Sequence, residues 1–226
     1  MPTETTRIWN DDGILLTETS YFVTHNDPDH IGNATRHKHK TDGPAYRGWY
    51  PDGSMKFEEW YIKGEHHRVD GPARRGWYPD GSIRTEEWYI KDQSHRTDGP
   101  SYRHWSVDGA LGMEEWRIKD EIHRTDGPAY REWSVDGTLT LEEWRIKHEI
   151  HRTDGPAYRE WSDDGTLTEE NWCVGGKQSS KDEINRKIAR KSLQDKILRS
   201  SRLLTLGEEV HSLPHDTLSV IGGFLE

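Results

Sequence analysis

The sequence has little of the material that builds a thick hydrophobic core. Its 226 residues include three Phe, three Met and one Cys, and hydrophobic types make up only 31% of the chain. When glycine is counted and tyrosine is not, about 36% is apolar, whereas soluble domains usually reach roughly 45–50%. The net charge of −10 would suggest disorder, but 11 tryptophans argue against it. We therefore expect a thin structure with a narrow aromatic core.

Two further absences bound the environment in which the chain works. Cys173 is the only cysteine, so no disulfide can form within the chain, which is consistent with a reducing compartment. The N-terminal stretch MPTETTRIWNDDG has no apolar signal segment, and no run approaches the roughly 18 apolar residues of a membrane span. We expect a soluble, cytoplasmic protein that is not secreted and does not bind membranes.

What the chain does have is a repeat of 28 residues. The motif H-[KR]-[TV]-D-G-P-[AS] begins at His39 and returns at His67, His95, His123 and His151. One tryptophan follows each histidine by ten residues and another by 21, which gives the columns Trp49, Trp77, Trp105, Trp133, Trp161 and Trp60, Trp88, Trp116, Trp144, Trp172. Self-similarity at a fixed period is the signature of a stacked repeat architecture.

The eleventh tryptophan extends the repeat towards the N-terminus. Trp9 stands in RIWNDDG with the same spacing to glycine as Trp49 has to Gly53. Residues 7–38 therefore look like a degenerate first copy with an insertion at 21–38. We predict a repeat domain at 1–175, with regular copies from residue 39, followed by a linker and α-helical region at 176–226.

Each unit has the pattern of a β-hairpin. Residues 45–50 (AYRGWY) are strand formers, PDG supplies a turn whose glycine takes a left-handed conformation, and residues 57–63 (FEEWYIK) return. The HRxDGP segment then predicts a second turn, with Asp accepting backbone bonds, Gly at positive φ and Pro ending the ladder. Apolar residues of the return strand change parity, so we expect a β-bulge near Glu58–Glu59.

The predicted fold class is mainly β: one elongated sheet of about six antiparallel hairpins with a short α-helical C-terminal cap. Strands in sequence order about 4.8 Å apart would place equivalent tryptophans in ladders along the sheet. The unit W-x-x-D-G-[ST]-x-x-x-E-E-W-x-I-K resembles the MORN repeat in a variant form, and is similar to the DGPA-type copies of giant viruses of amoebae and of antitoxin-like bacterial proteins. The resemblance covers residues 39–175, departs from the standard unit in its greater length, and implies a β array used for assembly, dimerisation or scaffolding.

Repetition also decides how the charged residues are interpreted. The Glu pairs at 58/59, 86/87, 114/115 and 142/143 could be general acid–base carboxylates. Catalysis needs one asymmetric constellation, however, and four equivalent ones describe a lattice. We expect no enzyme, and predict that the glutamates pair across strands with the column Arg47, Arg75, Arg103, Arg131 and Arg159.

The repeated turns offer His and Asp, which could line up as a metal-binding edge. Copies about 9.6 Å apart cannot share a coordination shell with bonds of about 2.0–2.2 Å. We therefore predict structural roles for His67, Asp70, Gly71, His95, Asp98, Gly99, His123, Asp126, Gly127, His151, Asp154 and Gly155. The insertion carries ligand types at a spacing that matches no standard site, in His25, Asp27, Asp29, His30, His37 and His39; we predict no metal and no other cofactor.

Beyond Gly176 the composition changes. Ser180-Lys-Asp-Glu183 is a capping box that predicts a helix to about Leu204. Residues 177–202 contain nine basic and three acidic side chains, so this helix either caps the last hairpin or is a basic binding element. The last segment resembles the opening of an F-box, and the resemblance implies contact with a ubiquitin-ligase adaptor. The alternative is that the segment forms a small docking helix. The candidate contact residues are Leu213, Pro214, Leu218, Ile221, Phe224 and Leu225.

These observations favour a non-catalytic scaffold or protein-interaction protein. By resemblance it would be a viral structural or host-interaction factor, in the host cell interior or the virion. The alternatives are an adaptor that recruits ubiquitin-ligase machinery and an antitoxin-like binder of a partner enzyme. We expect other proteins as partners and a homodimer as a further state. Nucleic acid does not fit, because residues 1–174 carry a net charge of −12.

Overall fold

The computed structural model describes residues 3–25 and 34–205. The chain divides into two compact units, Met1–Ser179 and Ser180–Glu226. The first unit contains one antiparallel sheet of 13 strands, in which six hairpins follow one another in sequence order. The predicted fold class is thereby confirmed: the chain is mainly β, with one C-terminal helix.

The degenerate first copy forms strands β1 (Thr3–Trp9), β2 (Leu15–His25) and β3 (Ala34–Lys38). β1 and the first part of β2 pair as the other hairpins do, with Arg7 opposite Glu18. The insertion lengthens this hairpin, since β2 continues past Thr19 and β3 pairs with the extension. Its described residues are therefore strand, and Phe22 is buried there.

The regular copies place two strands each in the large sheet. These are β4 (Tyr46–Trp49) and β5 (Met55–Glu59), β8 (Arg74–Trp77) and β9 (Ile83–Glu87), β12 (Tyr102–Trp105) and β13 (Leu111–Glu115), β16 (Tyr130–Trp133) and β17 (Leu139–Glu143), and β20 (Tyr158–Trp161) and β21 (Leu167–Asn171). Gly53 has φ +86° in the connecting turn, so the predicted left-handed glycine is confirmed.

The predicted bulge lies elsewhere in the hairpin. Gly48 is opposite Phe57 and Trp49 is opposite Met55, so the register shifts beside the turn instead of near Glu58–Glu59. The turn itself accounts for this position, because a three-residue loop closed by a left-handed glycine places the extra residue next to the loop. The same shift recurs in every later copy.

The return segment is not one strand through residue 63, and here the sequence-based prediction was wrong. After each glutamate pair the chain leaves the large sheet at the second tryptophan, whose N–H donates to the buried Ala or Ser of the next copy, as from Trp60 to Ala73 at 2.7 Å. Five two-stranded hairpins follow outside the sheet: β6 (Tyr61–Ile62) with β7 (Glu65–His66), β10 (Tyr89–Ile90) with β11 (Gln93–Ser94), β14 (Arg117–Ile118) with β15 (Glu121–Ile122), β18 (Arg145–Ile146) with β19 (Glu149–Ile150), and β22 (Cys173–Val174) with β23 (Lys177–Gln178).

Both turn residues of each small hairpin have positive φ. They are Lys63 and Gly64, Lys91 and Asp92, Lys119 and Asp120, Lys147 and His148, and Gly175 and Gly176, with φ between 51° and 89°. Such a turn matches the twist of the two strands that it joins. Lysine is a poor signal for it, which is why the sequence pattern did not predict these hairpins.

The core of the sheet is as thin as the composition suggested. Its most buried positions are the small residues that end the DGPA motif, at 0–1% exposure: Ala45, Ala73, Ser101, Ala129 and Ala157. The last four accept the backbone N–H of the preceding second-column tryptophan at 2.7–2.8 Å, and Ala45 accepts that of Ser20 at 2.7 Å.

Helix α1 (Lys181–Thr205) belongs to the second unit. The predicted helix start is confirmed, and Ser180 caps it, since its hydroxyl accepts the N–H of Glu183 at 3.1 Å. Glu183 also pairs with Lys187 one turn later. Within the described residues, no helix has both the length and the apolar character that crossing a bilayer requires. Residues 213–225, the F-box-like segment, lie outside the described residues, and their role stays a prediction.

Candidate functional site

The repeated HRxDG turns, residues 67–71, 95–99, 123–127 and 151–155, form the candidate site. In each turn the arginine lies over the ring of the second-column tryptophan that precedes it. The guanidinium carbon is 3.8–4.1 Å from the ring centroid in all four pairs: Arg68 on Trp60, Arg96 on Trp88, Arg124 on Trp116 and Arg152 on Trp144. Stacking of a cation on an indole face is favourable by about 0.5–1 kcal/mol at exposed sites and by more when desolvated.

The same guanidinium closes the turn on itself. Arg124 donates from Nε to Asp126 at 2.9 Å and from Nη1 to the carbonyl of Pro128 at 3.2 Å, and the other three turns repeat both bonds. The hydrogen bond and charge of the arginine hold the pKa of Asp126 below its usual value. Because each aspartate side chain remains 70–80% exposed, one face of every turn is an ionised carboxylate open to solvent.

The glycine of the motif has a different role from the one predicted. Gly71, Gly99, Gly127 and Gly155 are absent from the set of glycines with positive φ, so left-handed backbone is not the reason for them. A Cβ on Gly127 would stand 2.6 Å from the guanidinium carbon of Arg124, and the other three positions give 2.7–2.9 Å. Glycine is required there because the folded-back arginine occupies the space of a side chain.

The histidine of each turn bonds to the small hairpin at the other end of the same copy. Nδ1 of His67 accepts the N–H of Lys91, 24 residues later, at 3.3 Å, and the equivalent bonds of His39 and His151 measure 3.0 Å. The partner of the histidine is thus the backbone of the small hairpin and not the next HRxDG turn.

Successive turns enclose open grooves. One groove of about 470 Å³ lies between the turns at 67–71 and 95–99, with Trp88 and Ile90 in its lining. A second, of about 640 Å³, lies one repeat further along, with Trp116 and Ile118 in the same places. Each groove therefore combines an aromatic and aliphatic floor with Arg and Asp from both flanking turns.

The two tryptophan columns lie in different settings. The first column stands at the ends of the sheet strands, where Tyr50 and Tyr78 donate their hydroxyls to the carbonyls of Trp77 and Trp105 at 2.9 Å. Four tryptophans of the second column, Trp60, Trp88, Trp116 and Trp144, lie beneath the arginines of the turns. Among the described residues the ring contacts join no two tryptophans, so copies are linked through Tyr–carbonyl and Arg–Trp contacts.

One face of the sheet carries the predicted lattice of Glu and Arg. We call it the Arg–Glu ladder: Arg7, Glu18, Arg47, Glu58, Arg75, Glu86, Arg103, Glu114, Arg131, Glu142, Arg159 and Glu170, each opposite the next. Arg75 shows its geometry, with Glu86 at 3.1 Å on one side and Glu58 at 3.9 Å on the other. Burial raises the pKa of Glu58 in spite of the charges of Arg75, Arg47 and Arg68. The predicted cross-strand pairing is confirmed for the first glutamate of each pair, whereas the second, as at Glu59, lies on the opposite face of the sheet and does not meet this arginine column.

The opposite face holds a cluster that the repeat pattern did not reveal. Glu59 accepts a hydrogen bond from Tyr61 at 2.8 Å, contacts Arg74 at 3.1 Å, and has Lys38 and His66 at 3.8 Å. Burial raises the pKa of Glu59, but the donors His66 and Tyr61 and the charges of Arg74 and Lys38 outweigh burial and hold it at about 2.

This Glu59 cluster is peculiar to one copy. The positions equivalent to His66 are Ser94, Ile122 and Ile150, so aligning the copies and looking for the odd residue would have found it. His66 also contacts Asp92 at 3.1 Å, which completes a carboxylate–imidazole–carboxylate arrangement. A carboxyl with a pKa near 2 has no proton to give at neutral pH, and its lone pairs are engaged by donors, so the cluster stabilises the fold and does not suit acid–base chemistry.

Only part of the histidine- and aspartate-rich insertion can be placed. Asp27, Asp29 and His30 lie outside the described residues. His39 uses Nδ1 for the N–H of Lys63 and packs its ring edge-on to Phe22. In the parts of the chain that the structure describes, no three His, Cys, Asp or Glu side chains converge as metal ligands.

Comparison with known proteins gave no family model that matches the chain and no curated protein with a matching sequence.

Proposed function

We propose that the chain is a non-catalytic scaffold that binds other proteins through the row of HRxDG turns. The observation that carries this proposal is the repetition of one surface: four turns present the same Arg, Asp and Trp at 28-residue intervals, and two equivalent grooves lie between them. A surface that repeats in register suits a partner that makes the same contact several times.

The turns are rigid for their size, which favours binding. Each arginine is fixed by the ring beneath it, the aspartate beside it and a proline carbonyl, so little side-chain freedom remains to be lost when a partner arrives. Tryptophan and arginine are also the residue types that most often dominate protein–protein contacts. The turns thus combine preorganisation with suitable chemistry.

The charges of the turns indicate which partner would fit. The exposed carboxylates at 70, 98, 126 and 154 form an acidic row, while the arginines beside them are already paired. Val69, 82% exposed, adds an apolar contact at the rim of the first groove. An extended protein segment with basic or N–H donors and apolar side chains at intervals would match this surface. The resemblance to the MORN variants of giant viruses of amoebae supports a viral structural or host-interaction setting.

The exposed residue between Arg and Asp in each turn provides the test. Thr97 and Thr125 are exposed and line the second groove, and among the described residues their side chains have no hydrogen-bond partner. Thr97→Glu with Thr125→Glu should therefore leave the fold intact while adding charge and bulk beside the grooves. Val107 and Val135, exposed in the turns at the opposite strand ends, give the matched control pair Val107→Glu with Val135→Glu.

Affinity capture from cells with the three proteins, followed by mass spectrometry and by titration with the purified partner, separates the possibilities. We expect the groove variant to lose at least tenfold in affinity for a protein that the wild type and the control variant both retain. Equal binding by all three would place the contact elsewhere and refute the proposed surface.

A further inference from the structure

The large sheet has two edges, and they are different. β1 and β21 are the first and last strands in the order of the sheet, and neither has a described strand on its outer side. Between them, every copy joins the next in one register, exemplified by Leu141 opposite Glu160, Glu142 opposite Arg159 and Glu143 opposite Tyr158. The strand that carries the ladder glutamate always meets a strand that carries the ladder arginine.

β1 is the arginine-bearing kind of strand and β21 is the glutamate-bearing kind. Arg7 occupies the ladder position of Arg159, and Glu170 occupies that of Glu142. Inside the sheet, Arg75 reaches a glutamate on each side. Within the described residues Arg7 pairs with Glu18 alone and stays 53% exposed, so its outer side has room for a second carboxylate. Each internal junction pairs a glutamate-bearing strand with an arginine-bearing strand. Each edge of the sheet therefore presents one of the two strands that such a junction needs.

We infer that β21 of one copy pairs with β1 of a second copy, so that the sheet continues from chain to chain. The internal register sets Glu170 opposite Arg7, Asn171 opposite Thr6 and Glu169 opposite Ile8. This is a heterologous, head-to-tail contact: it leaves one free edge of each kind at the ends of the pair, so the assembly is open and grows with concentration. The inference is independent of the proposed partner surface, which lies at the ends of the strands.

The exposure of the two edge strands supports pairing with a second copy of the chain. All seven residues of β1 are exposed, as are the first four of β21. Ile8 and Leu167 are apolar residues that remain 56% and 46% exposed. Unpaired strand edges are templates for further pairing, and proteins that remain single usually block them with bulges, prolines or inward charges. Residues 3–9 and 167–171 contain no proline, and the ladder residues of the two edges, Arg7 and Glu170, have opposite charges.

Charge reversal at the two edges gives a specific test. Arg7→Glu and Glu170→Arg each place like charges at the proposed contact, so each single variant should remain a monomer where the wild type associates. An equimolar mixture of the two should associate again. In the mixture, the unchanged β21 of the first variant meets the unchanged β1 of the second, and the two reversed edges again carry opposite charges. The control is Glu160→Arg, the same charge change at an exposed position of β20 inside the sheet.

Sedimentation velocity over a range of concentrations, with circular dichroism to verify that each variant is folded, reads out the result. We expect the wild type and the Glu160→Arg control to show an average mass that rises beyond that of a dimer, the single variants to stay monomeric, and the mixture to recover. A wild type that is monomeric throughout, a closed dimer, or association that both reversals leave unchanged would overturn the inference. If Arg7→Glu fails to fold, Glu170→Arg alone decides, since its change lies on the other edge. None of these results bears on partner capture through the grooves.

Discussion

The guanidinium carbon of Arg124 lies over the indole of Trp116, 4.0 Å from the ring centroid. These residues belong to successive copies, since the tryptophan follows the last sheet strand of one copy and the arginine follows the small hairpin that ends it. Their contact therefore holds the small hairpin against the sheet. Because the arginine also fills the space beside Gly127, the three residues should behave as one unit when they are changed.

Gly127→Ala tests that coupling. The new Cβ would stand 2.6 Å from the guanidinium carbon, so the arginine must leave the ring, and we expect a loss of about 1 kcal/mol in unfolding free energy. In an Arg124→Ala background the same change should cost much less, because the obstructing group is gone. Urea denaturation of the four proteins of this cycle measures the coupling.

Gly137→Ala is the control for that cycle. Gly137 has φ +85° and no heavy atom within 4 Å of a Cβ built on it, so its cost comes from the backbone and not from a neighbour. Removal of Arg124 should not relieve it. If removal of Arg124 reduced the destabilisation by Gly127→Ala and by Gly137→Ala equally, the arginine would not explain the glycine of the HRxDG turn.

Lys147→Val should destabilise the fourth small hairpin. Lys147 has φ +51°, a region where a β-branched side chain is strained by roughly 1–3 kcal/mol. Lys147→Asn, which tolerates this conformation, should be neutral within about 0.5 kcal/mol. Thermal unfolding of both variants distinguishes them, and an equal melting temperature for the two would contradict the left-handed turn.

The adjacent residues Glu58 and Glu59 should respond to acid in opposite directions. The pKa of Glu59 is about 2 when folded, against an ordinary value of 4.5, so the unfolded chain takes up the proton first and stability falls from about pH 5 towards pH 2. A shift of this size corresponds to about 3 kcal/mol for a side chain only 10% exposed. The pKa of Glu58 is raised by burial, so its protonation favours the folded state as the pH falls.

Glu59→Gln and Glu58→Gln measure the two effects. Denaturant unfolding between pH 7 and pH 3 should show a smaller loss of stability on acidification for Glu59→Gln than for the wild type, and a larger one for Glu58→Gln. Parallel curves for all three proteins would be incompatible with the environments described for these two carboxyls.

The period of 28 residues was enough to predict the six hairpins, their order and the pairing of Glu58 with Arg75. Those features depend on residues that recur, and each recurrence adds evidence. The small hairpins were missed because their turns use Lys63, Lys91 and similar residues, whose side chains give no sign of a left-handed backbone. The reason for Gly127 was also mistaken, since a glycine that makes room for an arginine looks the same in sequence as one that permits positive φ.

The Glu59 cluster was hidden for the opposite reason. His66 stands at a position that the other copies fill with Ser94, Ile122 and Ile150, so a search for repetition passes over it. Its contact with Asp92, 26 residues away, depends on two small hairpins that were not predicted. Features that break a repeat need the three-dimensional arrangement of the copies before they can be recognised.

Each strand of the large sheet pairs only with strands that are close to it in sequence, and paired residues are never separated by much more than one copy. The sheet is therefore a row of units that are coupled to their nearest neighbours. Folding can begin in any adjacent pair and spread in both directions, without the loop-closure penalty of long-range sheets. Loss of residues 123–150 would bring His151 behind Ile122 and restore an identical junction. Such a chain can gain or lose whole copies when the gene segment that encodes one copy is duplicated or deleted. Its length can then change without a change of architecture.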